Sequence, residues 1–319
     1  MSPWTRLARD LYVHHGAINV GILRDDRRAL LIDCGDGDVA STLQDLGIDV
    51  AAKVVFTHHH RDQASGFQEI AGPAARVGVP ASEAELFCDV QRLWGDPTQR
   101  WHLYDARPSL LLAASIPVHE RYSEGDTLTW GGSSITVLET PGHTDGSVSY
   151  LVQTPGEQGE QSFLFCGDAI YGDGQVWNLY SLQKGFETRD YHGFMGDRAR
   201  LEQSLHKMVA LGAEAWVPSH GNIVTRPAQA AALLVERLDT CYEQYVAIAA
   251  LRHYFPSLFR GYEHLPGSLP FDDGLPVPGF LEHLGTTWVI SSEAGPAFAI
   301  DCGTQQVVQE LEAMTSRGE

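Results

Sequence analysis

The sequence predicts a mixed α/β fold, and three observations predict it. Short apolar runs rich in β-branched residues alternate with turn signals in the first third and again from residue 125. Segments with helical periodicity stand between and after them, the longest from Pro227 to about Phe255. Four of the apolar runs lead straight into loops that carry His or Asp, a layout in which a sheet offers its rim to chemistry.

The elements follow in order. Ala17 to Leu23 and Ala29 to Ile32 read as a strand pair around the charged turn Arg24-Asp25-Asp26-Arg27-Arg28. Val39 to Leu46 reads as a short helix, and Lys53 to Phe56 as a strand that stops at Thr57. Ala64 to Ile70 is helical, Arg76 to Val79 is the next strand, and Ala81 to Leu93 is a helix with Ser82 as its N-cap. Residues 94 to 123 are less regular and hold Trp94, Trp101, Tyr104 and Tyr122 among prolines. A substrate wall or lid and plain core packing explain such an insertion equally well. Asp126 to Trp130, Ser134 to Leu138, Val148 to Val152 and Ser162 to Cys166 read as strands. Arg198 to Leu211 is a helix, Ala215 to Val217 a buried strand, and Pro227 opens the long helix at a first-turn position. Residues 256 to 279, rich in Pro and Gly, read as a linker or arm.

The tail carries an internal echo. His14 to Gly35 closes on Ile32-Asp33-Cys34-Gly35, and His283 to Gly303 closes on Ile300-Asp301-Cys302-Gly303, about 268 residues later. Both run through two strand-like segments and lead into a helix-like one. The expectation is the start of a truncated second copy of the domain; a chance match of strand pairs is the alternative.

Composition bounds the partners. Of 319 residues 43% are hydrophobic and 20% charged, which suits a soluble protein with a full core. The net charge of −19 repels phosphate backbones, so no nucleic-acid partner is expected. No apolar run is long enough for a membrane span, and the N-terminal stretch lacks an apolar core of signal-peptide length. The five cysteines, Cys34, Cys88, Cys166, Cys241 and Cys302, are odd in number and scattered, which argues for a reducing, cytoplasmic setting. Cys34, Cys166 and Cys302 end strand-like runs, where cysteine is usually buried.

The chemistry gathers in the four loops. Lys53 to Phe56 leads into His58, His60, Asp62 and Gln63; Ile135 to Leu138 leads to His143; Phe163 to Cys166 leads to Asp168; Trp216-Val217 leads to His220. If the strands run in the same sense, six metal-competent side chains converge on one rim. Neutral imidazole suits zinc, iron and related ions, and a carboxylate adds a ligand able to bridge two. The i, i+2 spacing of His58 and His60 lets one loop direct both rings to one ion, while His59 between them points elsewhere, outside the ligands or at the surface. Glycines beside His143, Asp168 and His220 suit tight loops near an ion. Trp177 and Tyr180 either line the pocket or pack in the core. The remaining histidines, at 14, 15, 102, 119, 192, 206, 253, 264 and 283, have no such setting.

The run His58-x-His60-x-Asp62, then Thr140-Pro-Gly-His143-Thr-x-Gly146, then Gly167-Asp168, then Ser219-His220-Gly221 resembles the metallo-β-lactamase superfamily, in its glyoxalase II-like and lactonase-like branch. The resemblance spans about residues 10 to 225. It implies an αββα four-layer sandwich, with residues 1–255 as the catalytic domain and 256–319 as an arm and strand pair. By motif position, His58, His60 and His143 would hold a first ion, Asp62 and His220 a second, and Asp168 would bridge them. The family motif usually ends in a further His, and here that position is Gln63. A neutral amide is a weaker ligand, which leaves open two ions with Gln63 bound, two with water in its place, or one ion alone.

The resemblance implies one or two zinc ions, with iron or manganese as alternatives, and a small-molecule substrate; an αββα protein is often a homodimer. An ion-activated water would attack an ester, lactone, thioester or amide, with Asp62 orienting the nucleophile and moving a proton. Few basic residues stand near the motifs, which favours an uncharged acyl substrate. The alternatives are a mononuclear Fe(II) enzyme like the superfamily's persulfide dioxygenase, using His58, His143 and Asp168, and a non-catalytic metal-binding module.

Overall fold

The computed structural model describes residues 3–95, 110–156, 159–182, 194–249, 252, 256–265, 278–284, 287–302 and 305–318. They fall into two compact units, 1–267 and 268–319.

In the first unit two sheets stack face to face. One has seven strands in sequence order: β1 (Trp4–Ala8), β2 (Leu11–His15), β3 (Asn19–Asp25), β4 (Arg28–Ile32), β5 (Val50–Val55), β6 (Ala71–Pro80) and β7 (Glu120–Tyr122). Its first four are an antiparallel meander, and β4 to β7 run parallel. The parallel half needs crossovers, supplied by helices α1 (Val39–Asp45), α2 (Arg61–Ala64), α3 (Phe67–Ile70), α4 (Ala84–Cys88) and α5 (Val90–Gly95). The other sheet is built from β8 (Thr127–Trp130), β9 (Ser133–Glu139), β10 (Val148–Gly156) and β11 (Gly159–Gly167). After the short parallel pair β12 (Tyr180–Ser181) and β13 (Met195–Asp197), β14 (Ala215–Pro218) joins it, giving the order β14-β11-β10-β9-β8. Helices α6 (Arg198–Ala210) and α7 (Pro227–Ile248) cover its outer face.

Three cores define the layers. Val20, Leu31, Val54 and Val77 face outward under Val39, Leu43, Phe67 and Phe87 of the helices. Leu30, Ile32, Val55, Val137, Tyr150, Phe165 and Val217 fill the space between the sheets. Leu164 and Trp216 meet Leu201, Leu205, Leu234 and Leu238 on the far side. This is the αββα sandwich: each sheet is apolar on both faces, so it needs a neighbour on both.

Several local expectations change. β1 and β2 extend the meander beyond the strand pair at residues 17–32. Ala64 to Ile70 is two short helices, not one. Gly66 interrupts them because a Cβ there would lie 2.0 Å from the Gly37 nitrogen, and its N–H bonds the Gly35 carbonyl. Ala81 to Leu93 is a 3-10 turn (Ala81–Glu83) followed by α4 and α5, so Ser82 sits inside the turn and does not cap; Glu83 precedes α4, and its carboxylate is engaged elsewhere. The long helix ends at Ile248, and residues 253–255 lie outside the described residues. In the aromatic stretch Trp94 and Tyr122 pack against cores, while Trp101 and Tyr104 lie outside the described residues. Cys34 and Cys166 are buried, but Cys302 is exposed.

The second unit is an antiparallel meander, β15 (Leu281–Leu284), β16 (Thr287–Ile290) and β17 (Phe298–Ile300), followed by α8 (Gln305–Arg317). Its order repeats β2-β3-β4-α1, and Asp301, like Asp33, has a left-handed backbone (φ 62° and 59°). The settings differ. β4 is buried from Ala29 to Ile32 and β5 pairs with its far edge, whereas Phe298 and Ile300 of β17 are 64% and 46% exposed.

Candidate metal centre

The four predicted loops meet at one rim. β11 and β14 are parallel neighbours, and β9 runs in their sense with antiparallel β10 between, so the loops after all three leave the same edge. The loop after β5 reaches them from the facing sheet, joined by the hydrogen bond from Val148 N to Thr57 O (2.9 Å). Ser219 N bonds Gly167 O at 2.9 Å, tying the His220 loop to the Asp168 loop. Two glycines permit these turns. Gly142 has φ +144° with the Leu201 backbone 2.4 Å from where a Cβ would be, and Gly167 has φ +54° against Thr57.

His58 Nε2, His60 Nδ1 and His143 Nε2 converge. The first and third lie 3.1 and 3.0 Å from His60 Nδ1, and 3.6 and 3.3 Å from Asp168 Oδ2. Three nitrogens on one tetrahedral ion at about 2.05 Å would stand roughly 3.3 Å apart, so this donor set fits a metal such as zinc. The His58 tautomer follows from its support. With Asp33 ionised, Thr57 Oγ1 donates to its Oδ2 (2.9 Å) and accepts from His58 Nδ1 (3.1 Å), which leaves Nε2 bare toward the cluster. Burial holds the His58 pKa well below the usual range and brings His143 to about 4, so both rings are neutral and ready to ligate.

A second cluster adjoins. His220 Nε2 is 3.0 Å from Asp62 Oδ2 and 3.8 Å from Asp168 Oδ1. Asp168 thus turns one oxygen to each cluster, and its buried Oδ1 has no hydrogen-bond partner, as a bridging carboxylate would. Burial raises the Asp168 pKa, with Asp62 adding to the rise and His220 opposing it. Burial also disfavours both charges of the His220–Asp62 pair, but their hydrogen bond and mutual charge outweigh it, raising His220 and lowering Asp62. Gln63 is buried beside the cluster, where its Oε1 accepts from Ser219 Oγ (3.0 Å) and its Nε2 has no partner. In this conformation the amide oxygen serves Ser219, and three side chains form the second cluster.

The supports are residues that sequence reasoning missed. Asp33 accepts from Thr57 N and Oγ1 at 2.9 Å each; burial pushes it up to about 8 against those two bonds. Glu83 binds His59 through N (2.8 Å) and Nδ1 (3.0 Å), Thr144 Oγ1, and Gly146 N (3.0 Å), joining the His58–His60 loop to the His143 loop. Burial penalises this carboxylate, but His59, Thr144 and Gly146 together bring its pKa below the usual value. His59 is therefore buried and turned from the cluster, not at the surface. Asn19 holds the His220 loop: its N donates to Ser219 O (2.7 Å), its Nδ2 to Pro218 O and Gly221 O (2.8 Å each). Tyr180 is core, and Trp177 stacks on His220. His14 is a buried structural histidine between Thr42 and Asp38, and His102, His192 and His253 lie outside the described residues. No helix among the described residues is long and apolar enough to cross a membrane.

Comparison with known proteins agrees with this geometry. Residues 15–220 match the family model of the metallo-beta-lactamase superfamily. The chain is 32% identical over 175 residues to the hydroxyacylglutathione hydrolase of Bdellovibrio bacteriovorus, across 53% of this chain and 55% of that protein. The match thus spans little more than half of the relative's length. Among solved structures, the subclass B3 metallo-β-lactamase BJP-1 of Bradyrhizobium japonicum superposes with a TM-score of 0.56 at 17% identity, covering 77% of this chain and 94% of that one. A Cronobacter sakazakii metallo-β-lactamase described by its HARLDQ motif gives the same TM-score of 0.56 at 17% identity, covering 77% and 94%. At such identities the solved structures speak for the fold, and the family model covers the loops that carry every candidate ligand. The chain belongs to the metallo-β-lactamase superfamily.

Proposed function

We propose that the protein is a metal-dependent hydrolase of an uncharged acyl substrate, an ester, lactone, thioester or amide, working in a reducing cytoplasm. The observation that carries this reading is the convergence of His58, His60, His143 and Asp168 beside a second group of Asp62, Asp168 and His220. His58, His60 and His143 would hold one ion; Asp62 and His220 would hold a second, bridged by Asp168. Imidazole-rich, carboxylate-bridged donors favour zinc. When bound, such ions activate water at neutral pH and polarise the substrate carbonyl.

The chain's own residues supply the rest. Asp62 is the exposed carboxylate of the set, its side chain 42% accessible, so it can meet water and hold a proton taken from it. Asp33 and Thr57 fix the His58 ring, and Asn19 fixes the loop of His220. Arg61, adjacent to the ligands, turns its Nε to Leu111 O (2.7 Å), which fits a substrate without an anionic reacting centre. The Bdellovibrio relative is named for hydrolysis of an acylglutathione, itself an acyl compound.

Elemental analysis of purified protein, followed by a panel of esters, lactones, thioesters and amides, tests the reading. Close to two zinc ions per chain with turnover of at least one class is the expected result. A metal-loaded protein inert toward the whole panel would overturn it.

A further inference from the structure

The loop after Asp168 builds an aromatic stack on the second cluster. The Trp177 ring lies 4.8 Å from His220 and 4.9 Å from Tyr171, at interplanar angles of 18° and 10°. Tyr171 and His220 are only 6.4 Å apart. Two rings sandwiching a third would stand about 7 Å apart or more, twice the contact distance of about 3.5 Å. Both rings therefore lie on the same face of the indole, and among the described residues no ring stacks on the opposite face. Trp177 is accordingly 48% exposed, although its inner face is covered.

This tryptophan does not hang on a loose strand of chain. Gly172 N bonds His220 O (3.1 Å), Gln175 N bonds Tyr171 O (3.0 Å), and Arg237 Nη1 holds Gly174 O (2.6 Å). The loop that bears Tyr171 is thus fixed both to the candidate ligand and to α7. Three large apolar side chains are well exposed among the described residues of the first unit, Val50, Trp177 and Ile248, and Trp177 is the one stacked on a candidate ligand. An open indole face costs hydration unless something flat and apolar covers it, and this one lies beside the atoms that would hold the reacting carbonyl.

We propose that the open face of Trp177, backed by Tyr171 and His220, is a binding subsite for an aromatic or flat apolar group of the substrate. The proposal rests on the hydrolase reading for the identity of that substrate, but the subsite itself is a matter of binding. Trp177 is a specificity residue here and takes no part in proton transfer. A purely structural Trp177, serving only to orient His220, would affect metal retention and all ligands alike.

The test separates these roles without needing turnover. Binding of phenylacetate and of acetate to zinc-loaded protein is measured by calorimetry for wild type, W177A and W177L, with zinc per chain and the thermal transition recorded for each. W177L keeps bulk over His220 and removes the aromatic face, so it serves if W177A does not fold. The expected result is a preference for phenylacetate in wild type that shrinks by roughly two- to tenfold in both variants, at unchanged zinc content and unchanged acetate binding. Equal weakening of both acids, loss of zinc, or no preference in wild type overturns the subsite. Phenylacetyl and acetyl esters, thioesters and amides, with a lactone, run in parallel address the reaction: wild type that prefers phenylacetate yet hydrolyses none of them leaves the subsite standing and removes the hydrolase.

Discussion

Thr57 shows how much of a metal site lies outside its ligands. Its hydroxyl donates to the ionised form of Asp33 and so leaves His58 presenting a bare Nε2. Thr57→Val keeps the shape and removes that relay; metal affinity should fall by about 10–100-fold in a chelator competition, with the fold retained. Gln63 works in the opposite sense. Its amide oxygen serves Ser219, so Gln63→His should add an imidazole to the second cluster and tighten the second ion by at least about tenfold, seen as half-filling of the second site at a correspondingly lower free zinc in a buffered titration. Protons and metal compete for this site, and the sign can be worked out. Asp33 is raised by burial from 3.8 to about 8, and Asp168 is raised from 3.8, so the folded metal-free chain binds protons there that the unfolded chain releases. His220, raised from 6.5, acts in the same direction. Stability of the metal-free protein should therefore rise as pH falls from about 8.5 to about 6.5. Below the unfolded value of 6.5, His58 and His143, both held neutral by burial, pull the other way, and the gain should stop. Zinc-loaded protein should lose stability over the same descent, because each ligand must shed its proton to bind. Parallel slopes for the two forms in a pH series of thermal melts would contradict this assignment.

Between elements, the centre depends on groups that bind one loop to another. Glu83, just before α4, takes hydrogen bonds from the His59 and Gly146 backbones and from Thr144 Oγ1 and pairs with His59 Nδ1. Glu83→Ala strips buried donors of their acceptor in two ligand loops at once. The expected cost is about 3 kcal/mol or more, read as a lowered denaturant midpoint, together with weaker zinc binding. The contrast with the ligands explains what the sequence could reveal. His58, His60, Asp62, His143, Asp168 and His220 each follow an apolar run within a few residues, so local pattern marks them. Glu83 meets its partners across 24 to 63 residues, and Asn19 meets Pro218 across 199, distances at which no local period survives. Ser82 was the more obvious cap by residue type, yet the turn at 81–83 gives the position before the helix to Glu83. Two of the strands that local pattern misses, β1 and β7, are the edges of their sheet. β1 carries exposed Thr5 and Arg6, and β7 is three residues long, so neither shows the apolar run of β4 or β11. Tyr171 escapes for a different reason: a tyrosine three residues beyond Asp168 acquires meaning only through the rings of Trp177 and His220.

At the scale of the whole chain, the two units differ in how well each can sustain itself. The first has three cores drawn from Trp4 to Tyr262, and all six candidate ligands with their supports lie within it. The second repeats the β2-β3-β4-α1 order and the left-handed aspartate, but its buried residues are few: Thr287, Val289, Val307 and Met314 among those described. Phe280, Phe298 and Ile300, which a larger sheet would cover, are exposed. The equivalent strand β4 escapes this only because β5 pairs with its edge and helices pack over it. A three-stranded meander with one helix has too little apolar area to offset its own ordering entropy. A fragment comprising residues 268–319 should therefore show no cooperative thermal transition in isolation. The chain ending at residue 267 should melt at the temperature of the full chain and bind as much zinc, since among the described residues none beyond that point belongs to its three cores or its metal clusters. A drop of several degrees, or lost zinc, on removing residues 268–319 would mean that the second unit supports the first and that the boundary at 267 is not an energetic one.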